Sequence, residues 1–212
     1  MYATTRKKDS AMSDVVGGFM DAHFYPMFGE KWKRVVEPNL QRRGVDVVFG
    51  GCRIDEKVKI KGGFANRLLD YPSFELSFVN RRGERQPGWF LSDYSLTDYY
   101  SLIAAFGDFV DEDGLTEGTL THLNALFVKK SDLTDYVALH GIDLETDVAE
   151  MSEGYAGDRK EHPGTGIHIK LSDMFSEMPI NMVVRREVLY GLPSTREFAI
   201  YRDRVEDTRV ST

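Results

Sequence analysis

The stretch Val45-Asp-Val-Val-Phe-Gly-Gly-Cys-Arg-Ile-Asp-Glu-Lys-Val-Lys-Ile60 sets the expected fold of this chain. Its first five residues are β-branched or aromatic around one aspartate. Gly44 and Gly50-Gly51 bound them, which is the punctuation of a short strand. From Ile54 the pattern alternates. Ile54, Val58 and Ile60 fall on one face, and Asp55, Lys57 and Lys59 on the other. Glu56 interrupts the apolar face. Phe74-Glu-Leu-Ser-Phe78 alternates again, with Glu75 and Ser77 opposite Phe74, Leu76 and Phe78. Three consecutive strands joined by short or moderate loops predict an antiparallel meander.

Charged groups occupy one phase of these strands. Asp46 is mid-strand in the first, Asp55 and Lys57 are two apart in the second, and Glu75 is mid-strand in the third. Strand residues two apart point to the same side, so Asp55 and Lys57 share a face by geometry. An in-register meander turns Asp46 and Glu75 to that face as well. Converging carboxylates repel, and burying them is costly without compensation. A divalent cation removes that cost. Hard oxygen ligands suit Mg²⁺, which typically takes one or two carboxylates and holds a substrate phosphate. The ordinary alternative is a wet sheet face carrying solvated charges.

Asp46, followed after a turn by Asp55-Glu56-Lys57, resembles the PD-(D/E)xK motif of the restriction-endonuclease-like nuclease superfamily over about residues 10–105. The chain is also similar to small phage and bacterial nucleases. These carry an Ile-Asp-Glu-Lys strand, a later acidic strand and a Pro-Gly-Trp segment, here Ile54–Lys57, Phe74–Phe78 and Pro87-Gly88-Trp89. Val45 stands where the motif name has proline, a position that varies widely in the superfamily. The resemblance implies a metal-dependent nuclease hydrolysing phosphodiester bonds, with DNA favoured over RNA. The cofactor would be Mg²⁺, with Mn²⁺ as an alternative. Asp46 and Asp55 would be metal ligands, joined by the backbone carbonyl of Glu56. Lys57 would be the catalytic lysine, and Glu75 an outer ligand or water-positioning group. The site residues are thus Asp46, Asp55, Lys57 and Glu75. Lys59, Lys61, Arg67 and Arg43 are candidate phosphate contacts, with Arg81, Arg82, Arg85 and Gln41 as weaker ones. Nucleases of this type often dimerise to cut two strands, so a homodimer is admitted.

Around this centre, Met12, Val15, Val16, Phe19, Met20, His23 and Phe24 recur at helical spacing, with Ser13 as a cap. Pro26 and Gly29 interrupt a helix expected over 12–37, and Pro38 ends it. Tyr99–Phe106 fits either a strand or a buried helix. Leu123–Val128, Gly166–Leu171 and Ile180–Val184 read as strands. Ser131 or Asp132 starts a helix that Gly141 stops. Residues 143–165 read as a surface loop, Glu187–Leu192 as a helical turn, and the tail after Arg202 as frayed. The expectation is one α/β (α+β) domain spanning 1–212. A central mixed sheet flanked by helices forms a nuclease-like core over about 10–130, elaborated at about 131–205.

The chain has 212 residues, 42% hydrophobic and 29% charged, with net charge −7, which excludes a disordered or fibrous class. One cysteine, Cys52, excludes an internal disulfide and a cysteine-based zinc cage. No stretch approaches the roughly 20 apolar residues of a membrane span. No apolar segment follows the charged start, so a cytoplasmic location without a membrane partner is expected. Residues 31–85 hold 13 Lys/Arg against 7 Asp/Glu, and 107–161 hold 4 against 14. The first region suits a nucleic acid. The second supports the alternative function: a catalytically inactive nuclease-like scaffold whose acidic 107–161 surface binds a basic protein. His23, His122, His140, His162 and His168 are scattered and form no zinc spacing. Asp21 and Glu30 read as surface charges, and Tyr94, Tyr99 and Tyr100 as core and rim aromatics.

Overall fold

A computed structural model describes residues 5–29, 31–59, 72–108, 114–154, 157–172 and 176–208. In chain order its elements are α1 (Thr5–His23), a 3-10 turn (Tyr25–Phe28), β1 (Trp32–Arg34), α2 (Pro38–Gln41), β2 (Val47–Phe49), β3 (Cys52–Lys59), β4 (Ser73–Val79), β5 (Arg85–Pro87) and β6 (Tyr99–Gly107). There follow β7 (Leu120–Lys129), α3 (Lys130–Leu139), α4 (Leu144–Ser152), β8 (Arg159–His162), β9 (Ile167–Leu171), β10 (Ile180–Val184), α5 (Arg186–Gly191), β11 (Arg196–Tyr201) and β12 (Val205–Asp207). The architecture is mixed α and β. Two compact units form, one from the described residues within 1–69, 96–130 and 194–212, the other from those within 70–95 and 131–193. Among the described residues no helix is long and apolar enough to cross a membrane.

The first unit carries a seven-stranded sheet in the order β1-β2-β3-β6-β7-β11-β12. Only the β3–β6 pair is parallel. Val16, Phe19 and Met20 of α1, with Phe24 and Tyr25 after it, are buried against Val47, Ile54, Ile103, Leu123 and Ile200 of the sheet. Phe24 stacks on Phe127 at 5.2 Å between ring centroids and meets Phe198 edge-on. Full burial of each such side chain stabilises by roughly 1.5–3 kcal/mol, so α1 is fixed by this apolar stripe.

The parallel β3–β6 step is pinned at its start. Arg53 donates to both carboxylate oxygens of Asp98 at 2.8 and 2.7 Å, and the Asp98 N–H donates to the Arg53 carbonyl. The segment before β6 is therefore tied to β3, and Asp55 lies in register with Tyr100.

The second unit carries a five-stranded antiparallel sheet in the order β5-β4-β10-β9-β8. Phe74, Leu76, Ile167, Ile169, Met182 and Val184 are buried on it, as are Leu133, Val137, Leu144, Met151 and Leu189 of its helices.

Several expectations are corrected. The three-strand meander does not form, because β4 belongs to the second sheet while β3 pairs with β2 and β6. Alternation makes β4 a strand but does not choose its neighbour. The helix ends at His23, and Trp32–Arg34 is a strand rather than a helical continuation. Ser13 lies inside α1 rather than capping it. α3 begins at Lys130, so Ser131 and Asp132 sit in its first turn. Residues 143–165 contain α4 and β8 instead of a plain loop. The tail forms β12, paired with β11.

Candidate active site

Strand alternation splits three successive charges of β3 between two faces. Ile54 and Val58 join the core beneath α1, and Glu56 turns to the same side. Its carboxylate accepts from the Tyr25 hydroxyl at 2.6 Å and is ion-paired with Arg34. Arg34 also forks onto Asp21 and donates to the Gly17 carbonyl. Burial, and then the neighbouring Glu56, hold the Tyr25 hydroxyl well above its usual pKa. Asp21 is thus half of a clamp between α1 and β1, not the free surface charge expected.

Asp55 and Lys57 take the other face. Asp55 is 2% exposed, and Lys57 Nζ lies 2.8 Å from its Oδ1. Asp55 Oδ2 is buried and has no hydrogen-bond partner among the described residues. Asp46 comes from the residue before β2. Its Oδ2 accepts the Glu56 N–H at 2.8 Å, which ties the two strands at the level of the site. Burial, followed by the charge of Asp55, pushes the Asp46 carboxyl up to about 7, against the opposing pull of Lys57. Asp55 therefore lies close enough to oppose the ionisation of Asp46, with one ammonium beside the two carboxylates.

Two residues not anticipated complete the surroundings. Tyr100 is fully buried in register with Asp55, and burial together with Asp55 raises its pKa. Gly44 has φ +72°, and a Cβ there would lie 2.5 Å from Thr97 Oγ1 and 3.3 Å from Asp55 Oδ2. Thr97 Oγ1 donates to the Gly44 carbonyl at 2.7 Å. Gly44 was legible only as a strand boundary. Tyr100 lay in an apolar run whose period was ambiguous.

The other candidates are distributed differently. Glu75 lies on β4 of the second unit, paired with Asn181 rather than with β3. Arg43 is exposed, and its carbonyl accepts the Leu96 N–H. Gln41 donates to the Val35 carbonyl, and Arg85 to Ser77 Oγ and the Met178 carbonyl. Arg81 and Arg82 are exposed. Lys61, Arg67 and Glu30 lie outside the described residues, as does the side chain of Lys59. In the acidic 107–161 region, Asp147 is 2% exposed and paired with Lys160 and His162.

Among the described residues no group of three or more His, Cys, Asp or Glu side chains gathers as a metal cage. The donors that do meet are two carboxylates, one with an orphaned buried oxygen. That set fits a hard cation such as Mg²⁺, which commonly takes one or two protein carboxylates and keeps several waters. Comparison with family models, with curated proteins and with solved structures finds no match.

Proposed function

We propose that this chain is a metal-dependent nuclease with a restriction-endonuclease-like centre at β2–β3, acting on DNA in preference to RNA. The observation that carries this reading is the partnerless buried Oδ2 of Asp55 beside an Asp46 carboxyl raised to about 7. A solvated sheet face does not confine like charges in this way, and a cation site does. Asp46 and Asp55 would hold Mg²⁺ or Mn²⁺, with the Glu56 carbonyl as the third oxygen implied by the family resemblance. When bound, such an ion supplies Lewis-acid polarisation of a phosphodiester.

The chain's own groups have distinct tasks. The Lys57 side chain is 34% exposed, so its ammonium can donate to a phosphate oxygen and offset negative charge as it develops. Asp55 orients that ammonium through Oδ1. The Glu56 N–H fixes Asp46. Arg43, with Lys59, Lys61 and Arg67, would add sequence-independent attraction for a polyanion. A homodimer would allow both strands of a duplex to be cut.

The test is cleavage of single- and double-stranded DNA and of RNA with Mg²⁺ or Mn²⁺, comparing wild type, Asp55→Asn and Lys57→Ala. We expect metal-dependent cleavage by wild type and a loss of about 100-fold or more in each variant, the scale of removing an electrostatic group from a transition state. Absence of cleavage by folded wild type with either metal would refute the proposal.

A further inference from the structure

The second unit holds a separate concentration of charge that the carboxylate centre does not use. Its sheet has one apolar face, described above. The alternate residues form two cross-strand rows on the other face. Arg159, Lys170, Asn181 and Glu75 are in register in one row, and Glu161, His168, Val183 and Ser73 in the next. A cavity of about 460 Å³ opens on these rows, lined by Arg159, His168, Lys170, Asn181, Arg185 and Ser73 among others. A smaller hollow of about 180 Å³ shares Arg159, His168 and Arg185 with it.

The lining is almost wholly hydrogen-bond donors and cations. Among the described residues no carboxylate lines the larger cavity. Arg159 is ion-paired with Glu161, which borders the smaller hollow. Lys170 and Arg185 have no carboxylate partner among the described residues. Three cations facing one hollow repel one another, a cost that an anionic ligand reverses. Two guanidinium forks, an ammonium, an amide and a serine hydroxyl match a group with several charged oxygens. The volume falls in the range of small-molecule sites. Among the described lining residues His168 is the only aromatic ring, so these residues offer donors to a phosphate rather than a platform for a base.

We propose that this cavity binds a phosphate-bearing ligand, either a free phosphorylated compound or a phosphate of a nucleic-acid strand. It is independent of the carboxylate centre and does not require that centre to be catalytic. His168 reports on occupancy. It is 8% exposed, and burial, then Arg159, with Lys170 and Arg185, lower its pKa against the opposing Glu161. A bound phosphate screens those cations and raises it.

The experiment is calorimetric titration of the full chain, in EDTA, with pyrophosphate, a nucleoside monophosphate and a short single-stranded DNA, alongside NMR titration of the His168 ring. We expect at least one probe to bind and to raise the His168 pKa. Lys170→Gln, at an exposed position, should weaken binding roughly tenfold, the scale of one charge-assisted hydrogen bond. The double variant Lys170→Gln/Arg185→Gln should weaken it further, with unchanged thermal unfolding as the control. Tight pyrophosphate or mononucleotide binding identifies a free phosphorylated ligand. Binding of the oligonucleotide alone, falling steeply with salt, identifies a strand. The proposal is overturned if no probe binds at millimolar concentration, or if Lys170→Gln binds like wild type.

Discussion

If Asp46 and Asp55 form a cation site, the metal-free protein is strained by its own carboxylates, and that strain depends on pH. The Asp46 carboxyl is raised from 3.8 to about 7 in the folded chain. Between these values the folded state holds a proton that the unfolded state has lost. As far as this group is concerned, stability is therefore greatest below about pH 4, falls as pH rises toward 7, and levels off above it. Three pKa units at about 1.4 kcal/mol each set an upper bound of about 4 kcal/mol. Asp46→Asn removes the titration but retains an oxygen to accept the Glu56 N–H. Measured by urea unfolding in EDTA, wild type should lose up to about 2.7 kcal/mol of this between pH 5 and 8 relative to Asp46→Asn, because only the two units from pH 5 to 7 fall in that window. The variant should be the more stable protein at pH 8. Adding Mg²⁺ at 100 times its Kd should restore about 2.7 kcal/mol to wild type alone. Parallel pH profiles for the two proteins would show that Asp46 carries no such burden and would remove the physical basis of the site.

Three further outcomes follow from the same structure. Gly44→Ala should cost more than about 2 kcal/mol, because it combines a positive φ with a steric overlap at Thr97; a thermal unfolding curve unchanged from wild type would contradict this. Glu56→Ala should destabilise by about 2–3 kcal/mol, less than a fully buried pair, because Arg34 is partly exposed and keeps Asp21; chemical denaturation measures it. Asp147→Ala leaves Lys160 and His162 without their buried partner, and should also cost about 2–3 kcal/mol, read as a lower urea midpoint.

The period-two strands were legible because their alternation is local. Residues 54–58 place Ile54 and Val58 on one face of the strand, and Asp55 and Lys57 on the other, as the pattern requires. Partner choice was not legible. Phe74–Phe78 alternates equally well whether it joins β3 or β10, and the decision rests on long-range packing. Tyr99–Phe106 stayed ambiguous because Leu102 and Ile103, on opposite faces, are both buried, which erases the alternation. α4 was missed for a different reason. Its buried stripe is Leu144, Asp147 and Met151, so a carboxylate occupies a position where the helical period calls for an apolar residue. Lys160 and His162 make that burial tolerable, but they lie on β8, and no local pattern announces them. The proximity of Tyr100 to Asp55 likewise arises only from the parallel β3–β6 register.

Glu56 links the stability of the first unit to its candidate chemistry. In the sequence it is a flaw in an apolar face. In the fold it is the charge that ties β3 to α1 through Tyr25, Arg34 and Asp21. Its backbone N–H, pointing the other way along the sheet, holds Asp46. One residue thus anchors the strand on its helix side and positions a carboxylate on its neighbour. Such an anchor is what a destabilised pair requires, since Asp46 and Asp55 repel and an unanchored β2–β3 hairpin would relax by separating them. Loss of the Glu56 side chain should therefore act beyond global stability. Glu56→Gln keeps an acceptor for Tyr25 but weakens the bond to Arg34. In that variant Asp46 should titrate nearer an ordinary aspartate, and Mg²⁺ affinity should fall although neither acidic ligand has changed. NMR titration of the Asp46 carboxyl and calorimetry with Mg²⁺ measure the two effects. A normal Mg²⁺ affinity with an unaltered Asp46 pKa would separate the anchor from the site.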